Sequence, residues 1–248
     1  MGFRQKIIAL LCVAAFAAMT WLAVMHVRKA LRIAHPIPDV NSLPKRLIEL
    51  DSSRGQMLLK YSLLKADYDL LTRYYEPQIY RSYCGVASGV ISVNALKQQK
   101  MLSQSSFFDG RPDRLRSSYR TFFGGMTLQD FKLLVGSHHL LTEHLHGGTF
   151  SLDEFRSRVK QNLLNNYDLL VVNYQRKRLG QKGGGHFSPL AAYHGPSDHV
   201  LILDVAQHRY PSVWVPLEML WHAMNTHDSD SGLTRGFVEI STRMPTEL

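Results

Sequence analysis

GGGHFSPLAAYHGPSDHVLILDV, residues 183–205, is the stretch from which the fold is read. Two β-rich apolar runs, HFSPLAAY (186–193) and VLILDV (200–205), flank a turn built around Gly195-Pro196. That pattern predicts an antiparallel hairpin. Folding the chain about residue 195 sets His186 opposite Asp204, with both side chains on one face. A carboxylate across from an imidazole fixes its tautomer and stabilises its protonated form. An acid closing the run Leu201-Ile202-Leu203 is unusual for a plain strand end, which draws attention to the pair.

Strand patterns recur on either side, at Asp168–Tyr174 and Gly236–Ser241. Upstream the pattern is helical: Met57–Tyr75, Cys84–Lys97 with Val86, Val90, Val93 and Leu96 on one face, Leu128–Leu134, and Ser151–Leu164 opened by Ser-x-x-Glu. Helices first and strands later predict an α+β fold, a helical N-terminal lobe packed on an antiparallel sheet.

The 248-residue chain has 45% apolar and 20% charged residues, the composition of a globular protein, and its two cysteines exclude a disulfide scaffold or a multi-thiolate zinc site. The net charge of +9 is concentrated at the start. Residues 1–46 hold seven basic residues and one acid, around Ile7–Met25, a run of 19 residues without a charge. Such charge marks membrane topology rather than nucleic-acid binding, and no nucleic-acid motif is found. The run nearly matches the hydrocarbon thickness of a bilayer. Residues 1–34 therefore read as an uncleaved anchor in preference to a signal cut near Ala15-Phe16-Ala17. Either route places the rest outside the cytoplasm, on the periplasmic side of a bacterial inner membrane. Residues 35–46, with His35-Pro36-Ile37-Pro38 and Pro44, read as a linker, and 47–248 as the folded domain. Cys12, inside the run, reads as a small apolar residue.

Cys84 is the one thiol of the globular part and opens a predicted helix, whose dipole and free N–H groups favour the thiolate. Gln78 lies six residues upstream, where papain-like enzymes place the amide of the oxyanion hole. His186 follows Gly183-Gly184-Gly185, whose bare backbone admits a substrate chain. Gln78, Cys84, His186 and Asp204 form the parts of a cysteine acyl-transfer site. The group His138, His139, His144 and His146 reads as a polar loop with an incomplete ligand set, so no protein metal site is assigned. Trp214, Trp221, Tyr210 and Pro211 read as core and turn.

The stretches YCGVAS…VNAL (83–96), VNYQRKRLGQKGGGHFSPLAAY (172–193), LILDVAQHRYPSVWVPLEMLWHAMNT (201–226) and DSDSGLTRGFV (228–238) resemble phytochelatin synthase. The resemblance implies a papain-like fold, glutathione as substrate, and Cys84, His186 and Asp204 as a triad. It further implies that Asn173, Arg176, Gly185, Asp228 and Arg235 hold the γ-glutamyl end, and it suggests a homodimer. The likeness is to the short bacterial type without the Cys-rich second domain, in which deglycination of glutathione exceeds peptide synthesis. No cofactor is required on this reading, and cadmium or zinc acts as its glutathione thiolate complex. Two other readings remain: a papain-like peptidase of the leader-processing type, and a non-catalytic thiol- or metal-buffering protein.

Overall fold

The computed structural model describes residues 3–34 and 39–242. His35–Pro38 of the expected linker and the residues after Thr242 lie outside the described part.

Helix α1 (Phe3–Ala34) contains, within Leu10–Ala34, an apolar window long enough to cross a membrane by length and composition, with the basic residues Arg28, Lys29 and Arg32 in its last turns. Its most apolar window has no residue buried against the rest of the chain, and Cys12 is exposed on it. The last turn is different. Ile33 is buried, and its carbonyl accepts a hydrogen bond from Arg81 N at 3.2 Å.

The domain is built on a seven-stranded sheet. Its strands are β1 (Ile48–Glu49), β2 (Leu141–His146), β3 (Asp168–Gln175), β4 (Gly185–His194), β5 (His199–Ile202), β6 (Val213–Pro216) and β7 (Gly236–Ser241). They run in the order β1-β6-β5-β4-β3-β7-β2, every neighbouring pair antiparallel. Both faces are covered, so β3 is buried from Leu169 to Tyr174 and continuously apolar from Leu169 to Val172 rather than alternating. Leu169 and Val171 point to the face carrying α3 (Ala66–Arg73), α4 (Cys84–Leu96) and α7 (Leu128–Gly136). Leu170, Val172 and Tyr174 point to the face carrying α8 (Leu152–Asn162) and α9 (Leu217–Met224). This is the α+β, papain-like architecture.

Helix α4 is the central element. Every residue from Gly85 to Leu96 is buried, which its uncharged sequence permits. Val86, Val90, Ile91 and Val93 each contribute about 1.5–3 kcal/mol on burial. Gly85 and Gly89 let the helix approach its neighbours. A Cβ at either would lie 2.6 Å from Met126 Sδ or 2.8 Å from Phe107.

Several expected elements are recovered closely. Helix α8 starts at the predicted Ser-x-x-Glu, with Ser151 and Glu154 capping each other's backbone. Strand β7 has the predicted limits. The expected helix 57–75 is instead two, α2 (Ser53–Tyr61) and α3. It breaks because Leu64 leaves the helix to bridge Tyr193 of β4, while Lys65 Nζ bonds the carbonyl of Leu59 at 2.8 Å. The expected loop through His144 and His146 is strand β2, paired with β7 along its whole length. Its alternation is hidden because it is an edge strand with mostly polar side chains.

Candidate active site

Cys84 is the first residue of α4, so its thiol stands where the helix dipole is positive and backbone N–H groups lack intrahelical partners. The thiol is partly exposed and opens into a cleft of about 400 Å³. The cleft is walled by Gly124–Met126 on one side and by Asn173, Gly185, Asp228 and Arg235 on the other.

His186, second residue of β4, is buried beside it. Its Nε2 lies 3.0 Å from Asp204 Oδ1 and 3.0 Å from Ser188 Oγ. With Nε2 so engaged, Nδ1 is the ring nitrogen left to face the Cys84 thiol, on which the imidazole and the Phe187 backbone both act to favour the thiolate. Tyr174 stands edge-on to the imidazole at 5.6 Å between ring centroids. Asp204 is wholly buried. Its Oδ1 also takes Arg176 Nη2 at 2.7 Å and Ala206 N at 2.8 Å.

The hairpin brings His186 and Asp204 together, but not by the expected register. The pairs are Tyr193 with Val200 and Ala192 with Leu201, followed by a shift at Leu190 with Ile202. Strand β5 ends at Ile202, short of the expected 205. Asp204 therefore does not sit across the ladder from His186. It lies just past the strand, where Leu203 N bonds Pro189 O at 3.0 Å and Tyr75 Oη bonds the carbonyl of Asp204 at 2.5 Å.

The electrostatics agree with the contacts. Burial pushes the Cys84 thiol up, but hydrogen bonds and charge from His186, the Phe187 backbone and Arg176 bring it below the ordinary thiol value. Burial and Arg176 push His186 down. The charge and hydrogen bond of Asp204, with the bond to Cys84, outweigh them and leave it above the ordinary imidazole value. Burial works against an ionised Asp204, yet Arg176 and His186 hold it far below the ordinary carboxyl range. The three shifts together favour a thiolate beside an imidazolium.

The remaining predicted residues divide. Asn173, Gly185, Asp228 and Arg235 do line the cleft. Asn173 Oδ1 and Arg235 Nε are buried there without a partner. Arg235 is held by Asp228 at 3.4 Å and by the carbonyl of His227 at 2.5 Å. Gly185 is needed for this arrangement, because a Cβ there would lie 2.8 Å from Arg235 Nε. Arg176 is placed otherwise than expected. It is turned inward by a single 3-10 turn, Arg176–Leu179, and buried between Asp204 and Gln181 Oε1 at 2.6 Å, over the ring of Tyr210. Its guanidinium is not among the cleft-lining groups; it braces the buried carboxylate. Gln78 gives both amide hydrogens to backbone carbonyls, Tyr80 O at 2.8 Å and Arg81 O at 2.9 Å. It holds the loop entering α4 in that state. Ser188, Gln181, Tyr75 and Tyr210 were not marked as site residues by the sequence; of these only Tyr210 carried any signal, as a buried aromatic.

A family model described as phytochelatin synthase matches residues 39–237. Among curated proteins the chain is 36% identical over 175 residues to "Glutathione gamma-glutamylcysteinyltransferase 3" of Lotus japonicus, covering 69% of this chain and 36% of that one. It is 30% identical over 219 residues to "Glutathione gamma-glutamylcysteinyltransferase 1" of Triticum aestivum, covering 83% and 44%. It is 32% identical over 203 residues to "Glutathione gamma-glutamylcysteinyltransferase" of Schizosaccharomyces pombe, covering 79% and 49%. The matched part thus spans about a third to a half of these relatives. With four-fifths of its length matched by the one family, this chain belongs to the phytochelatin synthases.

Proposed function

We propose that this protein is a glutathione γ-glutamylcysteinyltransferase and hydrolase. The observation that carries the reading is His186 bonded through Nε2 to the buried Asp204, with the Cys84 thiol held below its ordinary value by that imidazole at the start of α4. The names of the relatives give the substrate class.

The Cys84 thiolate attacks the carbonyl carbon of the Cys-Gly amide of glutathione. The C–N bond breaks, and His186 gives its proton to the leaving amino group of glycine. The γ-glutamylcysteinyl group remains as a thioester on Cys84. Water, or the amino group of a second glutathione, then attacks that carbonyl while His186 takes its proton, the C–S bond breaks, and the Cys84 thiolate beside the His186 imidazolium is regenerated. The backbone N–H of Cys84, free at the helix start, supplies one donor to the oxyanion. Gln78 supplies the other only by exchanging one of its two carbonyl partners for substrate.

The polar ends of glutathione find matching groups in the cleft. Asp228 and the free Oδ1 of Asn173 suit the ammonium, and the free Nε of Arg235 suits a carboxylate. Cadmium or zinc enters as its glutathione thiolate complex, and α1 holds the domain on the periplasmic face of the inner membrane. Two copies act as a dimer on this reading.

The test is incubation with glutathione while free glycine, γ-Glu-Cys and (γ-Glu-Cys)₂-Gly are followed by mass spectrometry. Glycine release is expected, and it stops in Cys84→Ser. Release that survives that substitution, or no release from the native chain, overturns the proposal.

A further inference from the structure

The end of α1 does not hang free of the domain. It packs on α6 (Ser118–Gly124), which follows α5 (Arg111–Leu115). His26 packs, tilted, with its ring centre 4.5 Å from that of Phe123 and bonds Tyr119 Oη at 3.3 Å, while Lys29 Nζ lies 5.6 Å from the centre of the Phe123 ring. These contacts begin one residue after the uncharged run Ile7–Met25 ends. At 1.5 Å per residue, α6 lies about one helical turn beyond the apolar run, the depth of a bilayer's headgroup layer if α1 spans it.

The composition of this segment fits that depth. Tyr119 is 62% and Leu115 40% exposed, an aromatic and an aliphatic side chain open to solvent. Residues 109–120 hold four arginines against two aspartates, and Arg28, Lys29 and Arg32 of α1 add positive charge beside them. Arg116 is committed to Asp130 at 2.7 Å, but Arg114 and Arg120 are exposed. An aromatic beside a row of free arginines is the pattern of a membrane interface facing negative lipid.

We propose that the α5–α6 face, through Arg114, Leu115, Tyr119 and Arg120, rests on the headgroups of a bilayer containing anionic phospholipid. The inference rests on α1 being retained as an anchor and is independent of the glutathione reading. It has a consequence for the cleft. Gly124 and Gly125, at the end of α6, form one of its walls, and α6 is tied to the Cys84 loop by Ser82 Oγ bonding Phe122 O at 2.7 Å. The cleft therefore opens beside the membrane surface.

The test uses the full chain carrying Cys12→Ser and Cys84→Ser, with a nitroxide placed at Arg120→Cys or, as a control on the opposite face of the sheet, at Asp153→Cys. The protein is reconstituted in vesicles of phosphatidylcholine with phosphatidylglycerol. Collision rates with oxygen and with a water-soluble nickel chelate then report depth. The oxygen-to-nickel ratio at position 120 is expected several-fold above that at 153, falling when phosphatidylglycerol is omitted or salt is raised. Equal ratios at the two positions overturn the proposal. A raised ratio indifferent to phosphatidylglycerol and salt overturns its anionic part. Failure of the chain to float with the vesicles overturns it through the anchor. None of these results touches glycine release, so the catalytic proposal stands or falls separately.

Discussion

Arg176 Nη2 lies 2.7 Å from Asp204 Oδ1, and both side chains are sealed from solvent. The ion pair joins the turn after β3 to the segment after β5, and the same carboxylate oxygen orients His186. Removing one member of a buried pair leaves an uncompensated charge. Arg176→Met is expected to cost about 3–5 kcal/mol of stability, read as a lowered midpoint in urea. Arg176→Lys should recover little, since one ammonium does not reproduce the fork that reaches both Asp204 and Gln181. A Met variant with an unchanged urea midpoint would show that the pair does not hold the site.

The shifts at Cys84 and His186 set a pH window. Burial opposes the thiolate, but His186 and its neighbours place the thiol below its ordinary value. Burial likewise opposes the imidazolium, but Asp204 places it above. The rate of glycine release should rise as Cys84 ionises, hold, and fall as His186 loses its proton, with apparent values belonging to the pair. Asp204→Asn removes what raises His186, so the alkaline limb moves to lower pH. The rate falls by on the order of 10⁴, the size of such a change in a Ser-His-Asp triad. A profile whose alkaline limb stays in place in Asp204→Asn would refute the role given to Asp204.

How much of this was legible in the sequence depended on whether the cause was local. Helix α4, the capping box at Ser151 and strand β7 are written in nearby residues, and all three were read closely. Cys84, His186 and Asp204 were legible from a helix start, a glycine run and an acid ending an apolar run. The register that joins the last two was not, because it turns on a shift near Leu190 that no turn residue announces. The break between α2 and α3 follows from Leu64 pairing with Tyr193, far along the chain. Arg176, within Arg-Lys-Arg, has the look of a solvated face, and only the turn Arg176–Leu179 sends it inward.

Gly185 and Arg235 compete for the same space. A methyl group at Gly185 would lie 2.8 Å from Arg235 Nε and 2.9 Å from Nη2. Gly185→Ala should displace the guanidinium and raise KM for glutathione about tenfold, the loss of roughly one charge-assisted hydrogen bond, with a smaller change in kcat. A change confined to kcat would mean that Arg235 does not hold substrate.

Ser188 is a neutral second partner of the His186 imidazole. Its Oγ lies 3.0 Å from His186 Nε2, within the buried layer that also holds Asp204. Ser188→Ala should lower kcat about three- to tenfold, equivalent to the loss of a hydrogen bond of on the order of 1 kcal/mol. Glutathione binding should be unchanged. The alkaline limb of the pH profile should also shift, which a merely structural serine would not cause. Ser188→Thr, which retains the hydroxyl, restores part of both.

Asp168 sets a pH dependence of stability that has nothing to do with the cleft. Burial, opposed by a hydrogen bond from Asn162 and reinforced by Glu239, raises its carboxyl to about 6. Asp67, buried with neither carboxylate oxygen paired, is raised by burial and then by Asp168. Both folded values lie above the unfolded one of about 3.9, so the folded state keeps protons that the unfolded state has released. The contribution of Asp168 to stability is therefore present below about pH 4 and is lost as pH rises through about 6, and that of Asp67 is likewise lost as pH rises. Asp168→Asn removes the proton requirement. Its urea midpoint should match that of the native chain near about pH 4 and exceed it near about pH 7, by on the order of 1 kcal/mol after solvent screening. A variant less stable at neutral pH would mean that the ionised carboxylate is a net stabiliser, the reverse of this assignment.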